Sequence, residues 1–140
     1  MGIMSGRNVS ENRKKFRWNS KRWKKRVLDY HIKADPLEGS SQAKGIVLEK
    51  VEKEARQPNS AMRKCAKVQL IKNAKPVIVF LPGNLAQKFV DEHDEVLIER
   101  IGGKMGRSKG DMGGIRFQVI QVNDQPLREL VHGKIEKGRR

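Results

Sequence analysis

The longest unbroken apolar run in the chain, Val77 to Leu81, is five residues, and that limit decides which folds are open to it. Five residues suit one short strand covered on both faces, whereas roughly 20 are needed for a helix to span a bilayer. The chain is expected to stay out of membranes and to build from short elements. A hydrophobic fraction of 36% in 140 residues allows one small core. Residues 1 to 7 hold no apolar signal core, and Gly6 stands where a myristoylation signal needs Ser or Thr, so neither export nor a lipid anchor is expected. The Asn8-Val9-Ser10 glycosylation triplet is then incidental. Cys65 alone cannot form an internal disulfide, and His31, His93 and His132 with one thiol make no zinc-type ligand set. An intracellular protein without metal or cofactor is predicted.

Charge narrows the partner. The chain holds 31 Lys and Arg against 16 Asp and Glu, a formal +15, and such an excess is usually absorbed by a polyanion, here nucleic acid. It is unevenly spread: residues 1 to 34 carry 11 cations and two acids (Glu11, Asp29), net +9, and the remainder 20 and 14, net +6. Ser10 is a capping residue, no Gly or Pro follows through Ile32, and Asp35-Pro36 is a stop, which predicts one helix over about residues 11–33. Phe16, Trp23, Val27 and Tyr30 would form a narrow apolar seam on it. Arg13, Lys14, Lys15, Arg17, Lys21, Arg22, Lys24, Lys25 and Arg26 would form a wide cationic surface, ordered when phosphates neutralise it. A presequence is also basic and acid-poor, but Trp18, Trp23 and the scarcity of Ser count against it. The thin apolar stripe counts against a membrane-surface helix.

Gly39 to Gly45 reads as a connector without regular structure. After it, Ile46, Val47, Leu48 and Val51 open a first strand, and Cys65 to Ile71 alternates apolar and polar as a second. Val77 to Leu81 makes a third, Leu85 to Val90 a short helix, Val96 to Ile98 with Ile101 a fourth strand, and Ile115, Phe117 and Val119 a fifth. The prediction is all-β: a five-stranded OB-fold barrel over residues 45–123, a basic N-terminal helical extension (1–44) and a basic C-terminal tail (124–140).

In such barrels the loops joining strands 1 to 2 and 4 to 5 flank the oligonucleotide-binding face, and both are unusual here. The first presents Gln57, Pro58, Asn59 and Ser60 between Arg56 and Arg63-Lys64. Neutral amides and hydroxyls can hydrogen-bond the 2′-OH and base edges of an A-form minor groove, while Arg and Lys anchor on phosphates. The second, Gly102 to Gly114, has six glycines with Lys104, Arg107 and Lys109, so its backbone N–H groups can approach phosphates, though it has no P-loop spacing. Asp111 is the acid in that loop, and its expected partners are Lys109 and the Gly113-Gly114 backbone, with Arg116 second. Catalysis finds little support. Asp91 to Glu95 around His93 reads as an exposed acidic turn that can pair with a basic neighbour, and Cys65 as a packed thiol.

Gln57-Pro58-Asn59-Ser60-Ala61-Met62-Arg63-Lys64, Ala43 to Leu48 and Lys109 to Phe117 resemble the family of the universal twelfth small-subunit ribosomal protein, over about Trp18 to Lys137. The basic N-terminal segment is similar to its archaeal and eukaryotic branch. The resemblance implies a non-enzymatic, cytoplasmic constituent of the small ribosomal subunit, with rRNA, the mRNA–tRNA codon–anticodon helix and neighbouring ribosomal proteins as partners and no self-oligomer. It implies that Gln57, Pro58, Asn59 and Ser60 form a decoding loop, and that Pro58 and Asp111 match positions hydroxylated or methylthiolated in some members. The extension's cations, with Lys44, Arg56, Arg63, Lys64, Lys104, Arg107, Lys109 and Arg116, are read as rRNA contacts. One departure stands out: Gly113 replaces the proline usual after Asp-Leu/Ile, which predicts a more mobile loop. The alternative from another class is a free-standing OB-fold single-stranded nucleic-acid-binding protein, which stacks bases on outward aromatics. Only Phe80, Phe89 and Phe117 lie in the barrel region, and alternation turns Phe117 inward.

Overall fold

The computed structural model describes residues 2–102 and 106–138, and these fall into two compact units that divide after Gly39. The first holds three helices where one was expected: α1 (Ser5–Arg17), α2 (Lys21–Val27) and α3 (Tyr30–Lys33). Ser10 lies inside α1, which starts five residues upstream of it. The breaks have local causes that need neither Gly nor Pro. At the first, the side chain of Ser20 caps α2 by accepting from Trp23 N at 3.4 Å. At the second, Asp29 adopts a left-handed backbone with φ 49°, which ends α2 as Gly or Asn commonly does. The single seam from Phe16 to Tyr30 is therefore not formed. The expected stop holds: Asp35 accepts from Leu37 N at 3.1 Å and from Gly39 N at 2.9 Å.

The second unit is mostly sheet, with β1 (Gln42–Glu54), β2 (Met62–Leu70), β3 (Pro76–Phe80), β4 (Glu95–Arg100), β5 (Phe117–Val122) and β6 (Gln125–Pro126). The order is β3-β2-β1-β4-β5-β6, and a parallel pairing of β3 with β5 at Phe80 and Gln118 closes the first five strands into a ring. β1 makes the ring possible because it serves two partners, β4 through Gln42 to Ile46 and β2 through Gly45 to Glu54. A register shift between Val47 and Glu49 bends it where the partners change. Gln42 to Gly45 are thus strand, not connector, since they pair with Glu99 to Val96 of β4. β1 also continues past its apolar part, because Glu49 lies opposite Lys67 and Glu52 opposite Lys64, cross-strand pairs that stabilise a polar ladder. A one-turn 3-10 helix, Ala86–Lys88, occupies the place of the short helix.

Alternation sorts the core. Ala66, Val68 and Leu70 of β2 are buried, as are Val79 of β3, Val96 and Ile98 of β4, and Phe117 and Val119 of β5. β3 is covered fully on one face and partly on the other: Val79 is fully buried while Ile78 is 40% exposed. A ring has an outer wall, and Ile78 lies on it. Nearer the loops, that outer wall carries a second cluster of Cys65, Met112 and Ile115 with Val51, Phe80 and Ile101 packed against it. The expected tail is largely structured: β6 pairs with β5, and α4 (Leu127–Val131) buries Leu127 and Leu130. Leu127, Leu130 and Val131 have the three-and-four spacing of a helix face, which the preponderance of charge around them obscured.

Candidate nucleic-acid interface

Two loops at one end of the ring are fastened together. In the first, residues 55–61 between β1 and β2, Ala55 N donates to Ala61 O at 2.8 Å and Asn59 N to Arg56 O at 2.9 Å, so the chain reverses tightly and leaves Gln57, Pro58, Asn59 and Ser60 exposed. Arg63 and Lys64 belong to β2, not to the loop. The second runs from Ile101 to Arg116. Its Met112 and Ile115 are anchored in the outer cluster around Cys65, which brings Asp111 against the first loop.

Asp111 is the junction. Its Oδ2 accepts from Asn59 Nδ2 at 2.9 Å and from Arg63 Nη2 at 2.8 Å, and its backbone carbonyl accepts from Arg56 N at 2.9 Å. These partners replace the expected Lys109, Gly113-Gly114 backbone and Arg116. The hydrogen bond from Arg63, and then that from Asn59, hold the Asp111 carboxyl below the usual carboxylate range, and Asp111 raises Arg63 in return. Sequence distance hid the pairing, although both loops lie at the same end of the ring and one acid among cations there needed a partner.

Gly113 has a local reason. A Cβ built on it would lie 2.5 Å from Arg56 Nε and 2.7 Å from its Nη2, so the missing side chain is the space the guanidinium occupies. Gly102 is tighter still, since a Cβ there would meet the backbone O of Arg107 at 2.0 Å. Ser108 Oγ accepts from Gly114 N at 3.0 Å and closes the far side of the loop. Lys104, Gly103 and Met105 lie outside the described residues.

The cations divide into two groups. Lys44 pairs with Glu95 and Asp124, Lys64 with Glu52, and Arg63 with Asp111, so these three candidates contact phosphate only in competition with a carboxylate. The acidic turn is engaged similarly: Lys137 lies 2.5 Å from Asp91 and 2.7 Å from Asp94, and Lys50 3.4 Å from Asp91. Among the described residues no carboxylate pairs with Arg13, Lys14, Lys15, Arg17, Lys21, Arg22, Lys24, Lys25 or Arg26, nor with Arg56, Arg107, Lys109 or Arg116. Arg116 lies over the Phe117 ring, 5.6 Å from its centroid. Cys65 is 1% exposed, and burial pushes its thiol up, as suits a packed group. Among the described residues no group of three or more His, Cys, Asp or Glu could hold a metal ion.

The family model of ribosomal protein S12/S23 matches residues 30–140 of this chain. The chain belongs to the ribosomal protein S12/S23 family. It is accordingly a structural constituent of the small ribosomal subunit, and its partners are the small-subunit rRNA and neighbouring ribosomal proteins. The S12/S23 family is a non-enzymatic one, located in the ribosome. The matched segment contains both fastened loops, whereas α1 and α2, with the nine cations of residues 13–26, precede it.

Proposed function

We propose that this S12/S23 protein supports accurate codon–anticodon recognition, with Gln57, Pro58, Asn59 and Ser60 as the loop that meets the mRNA–tRNA helix and the decoding bases of the rRNA. The observation that carries the reading is the double engagement of Asp111 Oδ2 by Asn59 and Arg63. It fixes the Asn59 amide from behind and leaves Asn59 Oδ1 and the Ser60 hydroxyl, which no other described residue engages, as acceptors toward solvent. Acceptors held in place at an exposed tip suit the 2′-OH groups and base edges of an A-form minor groove. The five-stranded ring is, in this reading, a barrel of the OB type, whose corresponding loops bind oligonucleotides. The unpaired cations of the 1–44 extension, with Arg56, Arg107, Lys109 and Arg116, contact rRNA phosphates, and Arg63 works as a tether for the tip. Pro58 and Asp111 are the candidates for modification.

A free-standing OB-fold binder, which would stack bases on the ring itself, is disfavoured by the ring's own aromatics. Phe117 is 3% exposed and Phe80 packs into the outer cluster, so neither offers a ring face to a base.

Because Cys65 is 1% exposed, Asn59→Cys creates one accessible thiol to which a hydroxyl-radical probe can be tethered. In reconstituted small subunits programmed with mRNA and tRNA, cleavage should concentrate on the codon and the rRNA around it. Cleavage confined to rRNA remote from mRNA would overturn the decoding assignment.

A further inference from the structure

Trp18 and Trp23 meet edge to face across the elbow between α1 and α2, with ring centroids 4.5 Å apart and planes at 89°. Trp18 is the C-cap residue of α1, and Trp23 follows the Ser20 cap of α2. An edge-to-face contact is a favourable aromatic geometry and holds the two rings in a fixed relation. Yet Trp18 stays 45% exposed, so the pair does not merely bury itself. It sits within the basic segment whose cations no described carboxylate compensates, Lys14, Arg17, Lys21 and Arg22 among them. The family match begins at residue 30 and does not account for it.

We propose that the Trp18–Trp23 pair is a stacking platform for an unpaired RNA base, the surrounding Lys and Arg holding the phosphates on either side. Two features select this occupant. The net +9 of residues 1 to 34 favours a polyanion over an apolar protein surface. A partly exposed indole offers a π-face, which a base can cover only when it is out of its own stack, so the ligand is a bulge, loop or single strand rather than a continuous duplex. The inference rests on rRNA binding and adds to it a base-stacking site outside the two fastened loops.

The chain contains two tryptophans, so its tryptophan fluorescence reports on this elbow alone. Full-length protein should be titrated with an RNA duplex carrying one bulged nucleotide and with the same duplex fully paired, at several salt concentrations. The bulged RNA should quench the fluorescence and bind more tightly than the paired one. Trp18→Ala should weaken binding of the bulged RNA roughly 5- to 150-fold, the range of one base–aromatic stack. Trp18→Phe should retain most of the affinity. Binding of the paired duplex, and its salt slope, should not change in either variant, because the cations remain. Circular dichroism of both variants controls for helix content. Unchanged bulge affinity in a folded Trp18→Ala protein, or unchanged fluorescence at saturating RNA, would overturn the platform while leaving rRNA binding intact. Loss of a neighbouring ribosomal protein from Trp18→Ala subunits with bulge affinity unchanged would reassign the pair to a protein partner. Failure of the wild-type chain to bind either RNA would instead count against the phosphate contacts assigned to the extension.

Discussion

Arg63 Nη2 and Asp111 Oδ2 stand 2.8 Å apart although 48 residues separate them in the chain, and the same carboxylate oxygen accepts from Asn59 at 2.9 Å. One side chain on the long loop therefore positions both a strand residue and the tip of the short loop. Such a pair near the surface, screened by solvent, adds little to global stability. Its effect is geometric: it removes rotamers from Asn59 that the tip could not use.

Asp111→Asn keeps the size of the side chain and removes the charge that draws Arg63. The fold and thermal midpoint should change little, while amide hydrogen exchange in Gly110 to Gly114 and at Asn59 should speed up in assembled subunits. Arg63→Ala should act in the same direction, and the double variant should do little more than either one, since both remove one interaction. Additive losses would mean that the two residues act independently.

Acid should release this junction and the C-terminal segment together. Asp111 is lowered by its hydrogen bonds from Arg63 and Asn59, and Asp91 chiefly by that from Lys137. At Asp94 burial pushes upward, but hydrogen bonds from Lys137, the Asp91 backbone and Asn123 outweigh it, and the net direction is also down. Carboxyls depressed in the folded state contribute stability that is complete above the unfolded value, roughly 3.9, and that disappears as pH falls through the folded values. Protection of Glu136 to Gly138, whose backbone is also held by Gln125, should thus be constant from pH 7 to about 5 and fall below about pH 4. A loss centred near pH 6 would implicate a histidine instead.

Two glycines of the long loop should respond oppositely to alanine. At Gly113 the obstacle is the end of the flexible Arg56 side chain, so Gly113→Ala should displace that guanidinium and leave the loop's hydrogen bonds standing. At Gly102 the obstacle is the Arg107 backbone at 2.0 Å, and Gly102→Ala should cost about 1–3 kcal/mol, as overpacking does. Thermal melts of both variants check this, and equal midpoints would show that the neck at Gly102 yields easily.

The C-terminal residues make a further test. Leu127 and Leu130 are 1% and 0% exposed, so Leu130→Ala should destabilise the sheet unit by about 2–5 kcal/mol, measured by denaturant unfolding. A change under about 0.5 kcal/mol, the range of surface substitutions, would mean that α4 contributes little to the sheet unit.

Much of the sheet was legible because its signals are local. Alternation marks β2 and β5, the apolar run marks β3, and Phe117 points inward as its register requires. What escaped was set elsewhere. The polar half of β1 is held by Lys64 and Lys67 on the neighbouring strand, and no pattern within β1 itself announces that. The helix breaks rest on a serine cap and on one left-handed aspartate, weak signals beside the cationic run. At the interface the sequence pointed to the two loops, but not to the contact of Asp111 with Asn59 and Arg63, which exists only once the ring brings the loops together.

The central claim concerns Asn59, and decoding accuracy tests it most directly. Small subunits reconstituted with Asn59→Ala should assemble normally, because the cations proposed to contact rRNA are intact. In an in vitro translation assay their selection of cognate over near-cognate tRNA should shift by about 2- to 10-fold, the effect of one hydrogen bond of ~0.5–1.5 kcal/mol. Normal assembly with unchanged selectivity at several codons would contradict the account and leave the loop a structural feature of the particle.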